Sequence, residues 1–275
     1  IKKNISLRDY TTFKIGGPAK YFLVAKNKKE LISAILVVKK FKLPFFILGG
    51  GSNVLISDKG FKGLVIKMQN AKCKMQNYNA KFKIFCEAGT PFPKLVSKSL
   101  KVGATGLEWA VGIPGTVGGA IYGNAGAFGK SMRDLVRKVE VLDVKDLRFK
   151  IYDLEKCKFG YRDSVFKRNK NLIILSAEIL LKKGRKTEIQ KKIRENLRYR
   201  QKTQPLNFSS AGSIFKNPPG FLAGELGEED KSSSSRLAAA RLIEECGLKG
   251  KTIGKAKISE KHGNFILNLG GATAK

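Results

Sequence analysis

A chain of 275 residues with 42% hydrophobic content and 17 phenylalanines can build one large domain or two to three small ones, and it is not a disordered sequence. Its 54 Lys+Arg against 22 Asp+Glu give a formal charge of +32, which raises nucleic-acid binding as one reading. The lysines, however, are spread singly or in pairs from Lys2 to Lys275 with no long basic run, RNP-type aromatic motif or zinc finger, so a Lys-rich solvated surface is favoured and nucleic acid is not expected as a partner.

In chain order, "NKKELISAILVVKKFKLP" places Leu31, Ile32, Ile35, Leu36 and Val38 along one helical side, with Pro44 after its end. An apolar strand, Phe45 to Leu48, runs into Gly49, Gly50, Gly51, Ser52 and Asn53, and a second strand is expected at Val54 to Ile56. After the turn "SDKG", "GLVIKM" reads as another strand, "KFKIFCEA" as a half-buried one, and "PFPKLVSKSLKVG" as a short helix ending at Gly103. Residues 112–129, "GIPGTVGGAIYGNAGAFG", hold seven glycines and are expected to be neither ordinary helix nor strand. Three β-rich runs follow, "VRKVEVLD", "RFKIYDL" and "NLIILSAEILL", then the basic helix "KTEIQKKIRENLRYRQKTQ". The last part holds "SSAGSIFKNPPG", the acidic and serine-rich "GELGEEDKSSSS" (224–235, a solvated loop), the helix "RLAAARLIEECGLKG" and the strand "NFILNLG". Strands and helices mix without a regular βαβ alternation, which argues α+β.

No apolar run approaches the roughly 20 residues of a membrane span, and no signal-peptide pattern is present, so no membrane partner is expected. The cysteines, Cys73, Cys86, Cys157 and Cys246, form no CxxC pair. With a single histidine they make no metal site, and they read as reduced thiols of a cytoplasmic protein. The chain opens at Ile1 rather than Met, so further N-terminal residues are expected.

Two glycine loops carry most of the chemical signal. Neither is a dinucleotide GxGxxG that opens a helix, and neither is a GK[ST] phosphate loop. "GGGSN" reads either as a plain glycine hairpin or as a nest of bare amides that binds an anion. A second such loop, "GIPGTVGGA", suggests an extended pyrophosphate ligand. "GYRDS" offers the planar fork of Arg162, suited to carboxylate or phosphate, although taken alone it reads more readily as a surface ion-pair residue. In "AGSIFKNPPG" there is no nucleophile elbow, so Ser213 is either a proton donor or a turn serine. His262, alone, reads as structural.

In order along nearly the whole chain, "YTTFKIGGPAKYF", "LGGGSNVLISD", "GIPGTVGGAIYGNAGAFG", "FGYRDSVF", "SAGSIFKNP", "AARLIEECGLKG", "IGKAKISEKHGNFILN" and "ATA" resemble the UDP-N-acetylenolpyruvoylglucosamine reductase family, in its shorter subtype without an extra tyrosine-bearing loop. The resemblance implies a vanillyl-alcohol-oxidase/PCMH-type FAD-binding region over 1–183, in two subdomains of about 1–70 and 71–183, and a C-terminal α+β substrate-binding domain over 184–275. It implies non-covalent FAD held by Gly49, Gly50, Gly51, Ser52, Asn53, Gly112, Ile113, Pro114, Gly115, Thr116, Gly118, Gly119, Asn124 and Gly126. NADPH would be the electron donor, and UDP-N-acetylglucosamine enolpyruvate the substrate reduced to UDP-N-acetylmuramate for peptidoglycan precursor synthesis. Arg162 would stabilise enolate charge and Ser213 would protonate the α-carbon, with Tyr161, Lys216, Asn217 and His262 around the substrate. A monomer is expected. The family pattern also carries a catalytic glutamate in a motif past "ATA", whereas the last acid of this sequence is Glu260. The alternative is a basic protein that keeps the fold, lacks the chemistry and binds nucleic acid.

Overall fold

A computed structural model of the chain describes residues 1–219 and 238–275. The segment 224–235, expected as a solvated loop, lies outside the described residues, as does the expected helix start at Arg236.

The first sheet begins with β1 (Lys2–Ser6) antiparallel to β2 (Pro18–Ala25), Lys2 opposite Phe22. Helix α1 (Lys28–Lys40) starts where the Asn27 side chain accepts from Glu30 N–H, while the Glu30 carboxylate accepts from Lys26 N–H. Its apolar side buries Leu31, Ala34, Ile35 and Val38. β3 (Phe45–Leu48) and β4 (Phe61–Met68) complete the order β1-β2-β4-β3, with β4 parallel to both neighbours. One β-α-β crossover, β2-α1-β3, is therefore present, a local exception to the expected lack of alternation. β4 is covered on both sides. Leu64 and Ile66 pack with α1, and Val65 packs with Leu7, Phe22 and Leu48 on the other face. This is why "LVI" is a continuous apolar run.

Residues 54–56 form no strand. A chain leaving β3 to pair in parallel with β4 must cross over rather than fold back, so the intervening segment finds no neighbour to pair with. Val54 and Ile56 still pack inward, while Leu55 is exposed.

The second sheet contains β5 (Cys73–Tyr78), β6 (Lys81–Glu87), β10 (Val136–Asp143), β11 (Arg148–Asp153) and β12 (Leu172–Lys183), in the order β11-β10-β12-β6-β5, with β7 (Ala104–Thr105) pairing on β12. Against it lie α2 (Phe92–Lys101), α3 (Val117–Tyr122) and α4 (Val165–Arg168), around a core that includes Phe92, Trp109, Ile121, Val139 and Phe166. Residues 112–129, expected to be neither ordinary helix nor strand, hold α3 and β8 (Gly126–Ala127), which pairs with β9 (Lys130–Ser131) just beyond them. The glycines survive in α3 because Thr116 caps it through its hydroxyl, which accepts from Gly119 N–H, and because Gly118 rests on Ala88, where a Cβ would approach to 2.8 Å.

The two sheets share a core. Leu142, Val144, Ile173 and Leu175 of the second pack into the α1 cluster of the first. Lys28 of α1 pairs with Glu140 of β10 at 2.6 Å, and Ser176 of β12 donates to the same carboxylate.

After β12, α5 (Lys186–Thr203) buries Ile189, Ile193 and Arg200. The small sheet β13 (Thr252–Ile253), β14 (Ala256–Ile258) and β15 (Ile266–Asn268) follows α6 (Ala239–Glu245). It docks on the N-terminal segment. Phe13, Ile15 and Ala211 cluster with Ile266, Ala272 and Ala274, and Asn268 Nδ2 donates to Phe13 O at 2.9 Å. Among the described residues no helix is long and apolar enough to cross a membrane, and no group of three metal-ligating side chains gathers.

Candidate active site

The first glycine loop is shaped by the protein itself. Gly51 has φ +65°, and a Cβ there would lie 2.0 Å from Tyr10 O. A Cβ on Gly50 would lie 2.5 Å from Gly115 Cα, and one on Gly49 would lie 2.6 Å from Thr116 Oγ1. The two glycine loops, far apart in sequence, are thus pressed together backbone to backbone. A plain hairpin is excluded because β3 and β4 are parallel. Ser52 Oγ would be 2.9 Å from a Cβ on Gly115, so its hydroxyl sits at the junction. Asn53 is exposed beside it.

The second loop is more open. Gly112 (φ +76°) and Gly115 (φ +111°) take conformations that L side chains avoid. Ile113 is half-buried, Pro114 and Gly119 are exposed, and among the described residues the atom that crowds Gly119 is Thr116 Oγ1, at 3.4 Å from a Cβ placed there. Asn124, at φ +43°, works as a clamp. Its Nδ2 donates to Gly160 O at 2.8 Å, and its Oδ1 accepts from Arg133 N–H at 3.0 Å. It therefore holds the end of α3 to the "GYRDS" turn.

That turn is closed at both ends by Gly160 N–H to Asp163 O and Asp163 N–H to Gly160 O. Tyr161 and Arg162 sit at its tip, Arg162 at φ +53°. Holding a non-glycine residue there costs about 1–3 kcal/mol and points to function. Arg162 Nη2 donates to Gly126 O at 2.7 Å, tying it to the second loop. On the other side, Asn217 N–H donates to Tyr161 Oη at 3.4 Å, and Asn217 Oδ1 accepts from Ala239 N–H, the first residue of α6. The "GYRDS" and "GSIFKNP" motifs, expected in separate domains, meet through this contact.

Ser213 is exposed on a segment that pairs with Phe265, after Gly212 at φ +77°. Asn264 fixes the segment from behind: its Oδ1 accepts from Phe215 N–H and its Nδ2 donates to Phe215 O. His262 is half-buried, and burial lowers its pKa, with Lys249 lowering and Glu244 raising it in smaller measure. Its Nδ1 accepts from Asn264 N–H, and its ring packs edge-on against Phe265 at 4.8 Å. His262 thus supports the serine-bearing segment through Asn264.

Among the described residues the charges around this turn are mainly positive, with Asp163, paired to Arg168 at 2.5 Å, the exception. Burial holds the Lys167 ammonium below its ordinary range, helped by Lys216, Lys170 and Arg162 and opposed by Asp163. Lys216 therefore belongs to a cationic group around the turn.

Sequence reasoning missed Arg200. It is buried under the second loop, where a Cβ on Gly112 would be 3.2 Å from its Cδ. Its Nη2 donates to Trp109 O at 3.2 Å, and its guanidinium lies over the Phe128 ring at 5.4 Å. Burial, then the neighbouring Arg162, lowers its pKa. Both guanidinium groups hydrogen-bond main-chain oxygens rather than carboxylates. Among the described residues, Arg200 Nε and Trp109 Nε1 are buried donors without partners, and buried donors are normally paired. Lys67 was missed too. Its Nζ donates to Gly49 O at 3.4 Å and lies 5.5 Å from the centre of the Tyr10 ring, and burial lowers its pKa. Side-chain-free amides, a hydroxyl, and guanidinium charge without a partner acid among the described residues form a donor set that fits a diphosphate and an electron-rich ring.

The comparisons with known proteins agree with this geometry. A FAD binding domain model matches residues 19–146, and the C-terminal domain model of UDP-N-acetylenolpyruvoylglucosamine reductase matches residues 204–275. The chain is 43% identical to the UDP-N-acetylenolpyruvoylglucosamine reductase of Caldanaerobacter subterraneus, over 98% of this chain and 82% of that one. It is 40% identical to that of Carboxydothermus hydrogenoformans, over 100% and 84%. Among solved structures, MurB from Thermus caldophilus superposes with a TM-score of 0.79 at 38% identity, covering 99% of this chain and 90% of that one. Cholesterol oxidase from Brevibacterium sterolicum reaches 0.51 at 10% identity over 66% of this chain and 37% of its own, a likeness of fold alone. With glycine loops, cationic turn and serine segment brought to one place and relatives matching along nearly its whole length, the chain belongs to the UDP-N-acetylenolpyruvoylglucosamine reductase family.

Proposed function

We propose that this chain carries out the NADPH-dependent, FAD-mediated reduction of UDP-N-acetylglucosamine enolpyruvate to UDP-N-acetylmuramate, with Arg162 and Ser213 as its catalytic residues. The observation that carries the assignment of roles is the contact between Tyr161 Oη and Asn217 N–H, which sets Arg162, anchored to the second glycine loop, beside the segment that bears Ser213.

The residues that would hold FAD are the main-chain amides of Gly49 to Asn53 and of Gly112, Gly115 and Thr116, with Ser52, Ile113, Pro114, Gly118, Gly119, Asn124 and Gly126 shaping the cradle, and Lys67 and Arg200 adding positive charge. FAD bound there supplies a two-electron carrier that accepts hydride from NADPH and passes it on. The absence of a histidine or cysteine in the loops supports non-covalent attachment.

The chain's own residues do the rest. Arg162 is fixed by Gly126 O before substrate arrives, so its charge meets the substrate carboxylate, where negative charge grows during reduction, with little reorganisation. Ser213 holds a proton at Oγ, on a segment whose main chain is locked by Phe265 and Asn264, for delivery to the substrate α-carbon. Lys216 and Lys167 supply cationic charge for the diphosphate, and Tyr161 and Asn217 position the site's edge. The net charge of +32 adds a field that speeds capture of anionic substrates. We place the boundary between cofactor-binding and substrate-binding regions near residue 183, where β12 gives way to α5, and we read the protein as a cytoplasmic monomer.

Ser213→Ala tests the roles. It should fold and bind FAD normally, and stopped-flow reduction by NADPH should be unchanged. Reoxidation by the enolpyruvyl substrate should slow by about 10²–10⁴-fold, the usual contribution of a general acid. Equal slowing of both half-reactions would make Ser213 a positioning residue, and no slowing would make it a turn serine.

A further inference from the structure

Cys73 and Cys86 look unrelated in the sequence, but the register of β5 on β6 sets them directly opposite one another. At the adjacent pair, Glu87 N–H donates to Lys72 O at 2.9 Å. Hydrogen-bonded and open pairs alternate along an antiparallel ladder, so Cys73–Cys86 is an open pair, the class whose Cα atoms approach to about 4.5 Å. That lies within the span of a disulfide, and opposite residues project from the same face of the sheet.

Their surroundings differ in the way a redox pair requires. Cys86 is fully buried in the core of the second sheet, and Cys73 is half-buried at its edge. Helix α2 crosses beside Cys73, with Lys98 Nζ donating to Cys73 O at 2.5 Å and Lys94 one turn earlier. The proton shared with Cys86 is the largest influence on Cys73, and with Lys98 and Lys94 it outweighs burial and brings this thiol to about 7. The same sharing, together with burial, pushes the Cys86 thiol up. Cys73 therefore carries more thiolate at neutral pH than an ordinary cysteine. Cys157, buried and pushed up to about 12, has no such partner.

We propose that Cys73 and Cys86 form a redox-active dithiol that low-molecular-weight disulfides oxidise to a cross-strand disulfide. The Cys73 thiolate attacks one sulfur of the small disulfide RSSR, forming a Cys73–SR mixed disulfide and releasing RS⁻. Cys86 then gives its proton to solvent and attacks the Cys73 sulfur, closing the Cys73–Cys86 bond and expelling the second RS⁻. Two protein thiols are oxidised and one RSSR is reduced to two thiols. β6 continues directly into Ala88, on which Gly118 of the second glycine loop rests, so the pair lies at the foot of the cofactor cradle.

The test uses the full FAD-bound chain carrying Cys246→Ser, which removes the exposed fourth thiol. After incubation with oxidised glutathione, blocking of free thiols and proteolysis, the peptides holding residues 73 and 86 should be recovered joined, short by two hydrogens, with Cys157 free. Dithiothreitol should separate them. Adding Cys86→Ser should leave one glutathionyl group trapped on Cys73, whereas adding Cys73→Ser should leave Cys86 unmodified. Recovery of the two peptides unjoined from the Cys246→Ser protein would overturn the proposal, and so would modification of Cys86 in the absence of Cys73.

Discussion

The two glycine-rich loops are alike in composition and opposite in construction. In the first, residues 49–51, every missing side chain is accounted for by the protein: Tyr10 O, Gly115 Cα and Thr116 Oγ1 fill the space where a Cβ would be. In the second, among the described residues, Gly119 is exposed and meets only its own cap residue, and Gly112 faces a buried cation with an unpartnered donor. The difference separates two reasons for glycine that a sequence cannot tell apart: one lets chain approach chain, and the other leaves backbone open to something that is not protein.

Three substitutions press on that contrast. The largest effect is expected at Gly51→Ala. The methyl would need φ near +65° and would meet Tyr10 O at 2.0 Å, a main-chain atom held by the Thr12 N–H to Gly51 O bond. Left-handed backbone alone costs about 1–2 kcal/mol, and the clash should bring the total to about 3–5 kcal/mol. Urea unfolding should show it as a lower midpoint at unchanged slope, with or without FAD. A protein as stable as the parent would mean that the first loop is not a chain-to-chain joint.

Next is Gly119→Ala. A methyl there has room, at 3.4 Å from Thr116 Oγ1, and alanine is favoured over glycine in a helix by about 1 kcal/mol. Stability without cofactor should hold or rise slightly, while FAD affinity measured by fluorescence titration should fall about tenfold, some 1.4 kcal/mol. Unchanged affinity would remove the second loop's open face as a ligand surface.

The smallest effect belongs to Thr116→Ala, which removes the hydroxyl that caps α3 and abuts Gly49. Loss of an N-cap costs about 1 kcal/mol, or about 2–4 °C in melting temperature for a chain of this size. Thr116→Ser should restore most of it. If serine and alanine behave alike, the contact with Gly49 matters through its methyl rather than its hydroxyl.

Much of the scaffold was legible because it is local. Helix α1, the "GLVIKM" strand and the long "NLIILSAEILL" strand follow from periodicity and from caps such as Asn27. What failed was non-local. Val54 to Ile56 alternates like a strand because its inward residues do pack, yet pairing depends on a neighbour that the parallel crossover denies it. Arg200 sits in a helix studded with lysine and arginine, where one more cation looks solvated; Trp109, 91 positions earlier, makes it a buried one. The roles proposed for Arg162 and Ser213 came only through the family resemblance, since a lone arginine at a turn and a serine after glycine do not by themselves point to chemistry; the contact between Tyr161 and Asn217, which joins their two segments, depends on the fold. The cysteine pair depended on strand register, which spacing along the chain does not reveal.

The clasp between Asn268 and Phe13 joins positions 255 residues apart. Its counterpart, Thr12 to Ser210, spans 198. During synthesis both sheets can begin to collapse while Phe13 and Ile15 stay uncovered, because Asn268, on the strand that shelters them, is made 255 residues after Phe13. Closing so long a loop is a late and slow event in folding, and until it happens an apolar edge near the cofactor loops is open to other chains. Refolding from denaturant should therefore show an early phase in which the sheets form and a later one in which substrate-site geometry appears, with aggregation competing in the interval between them.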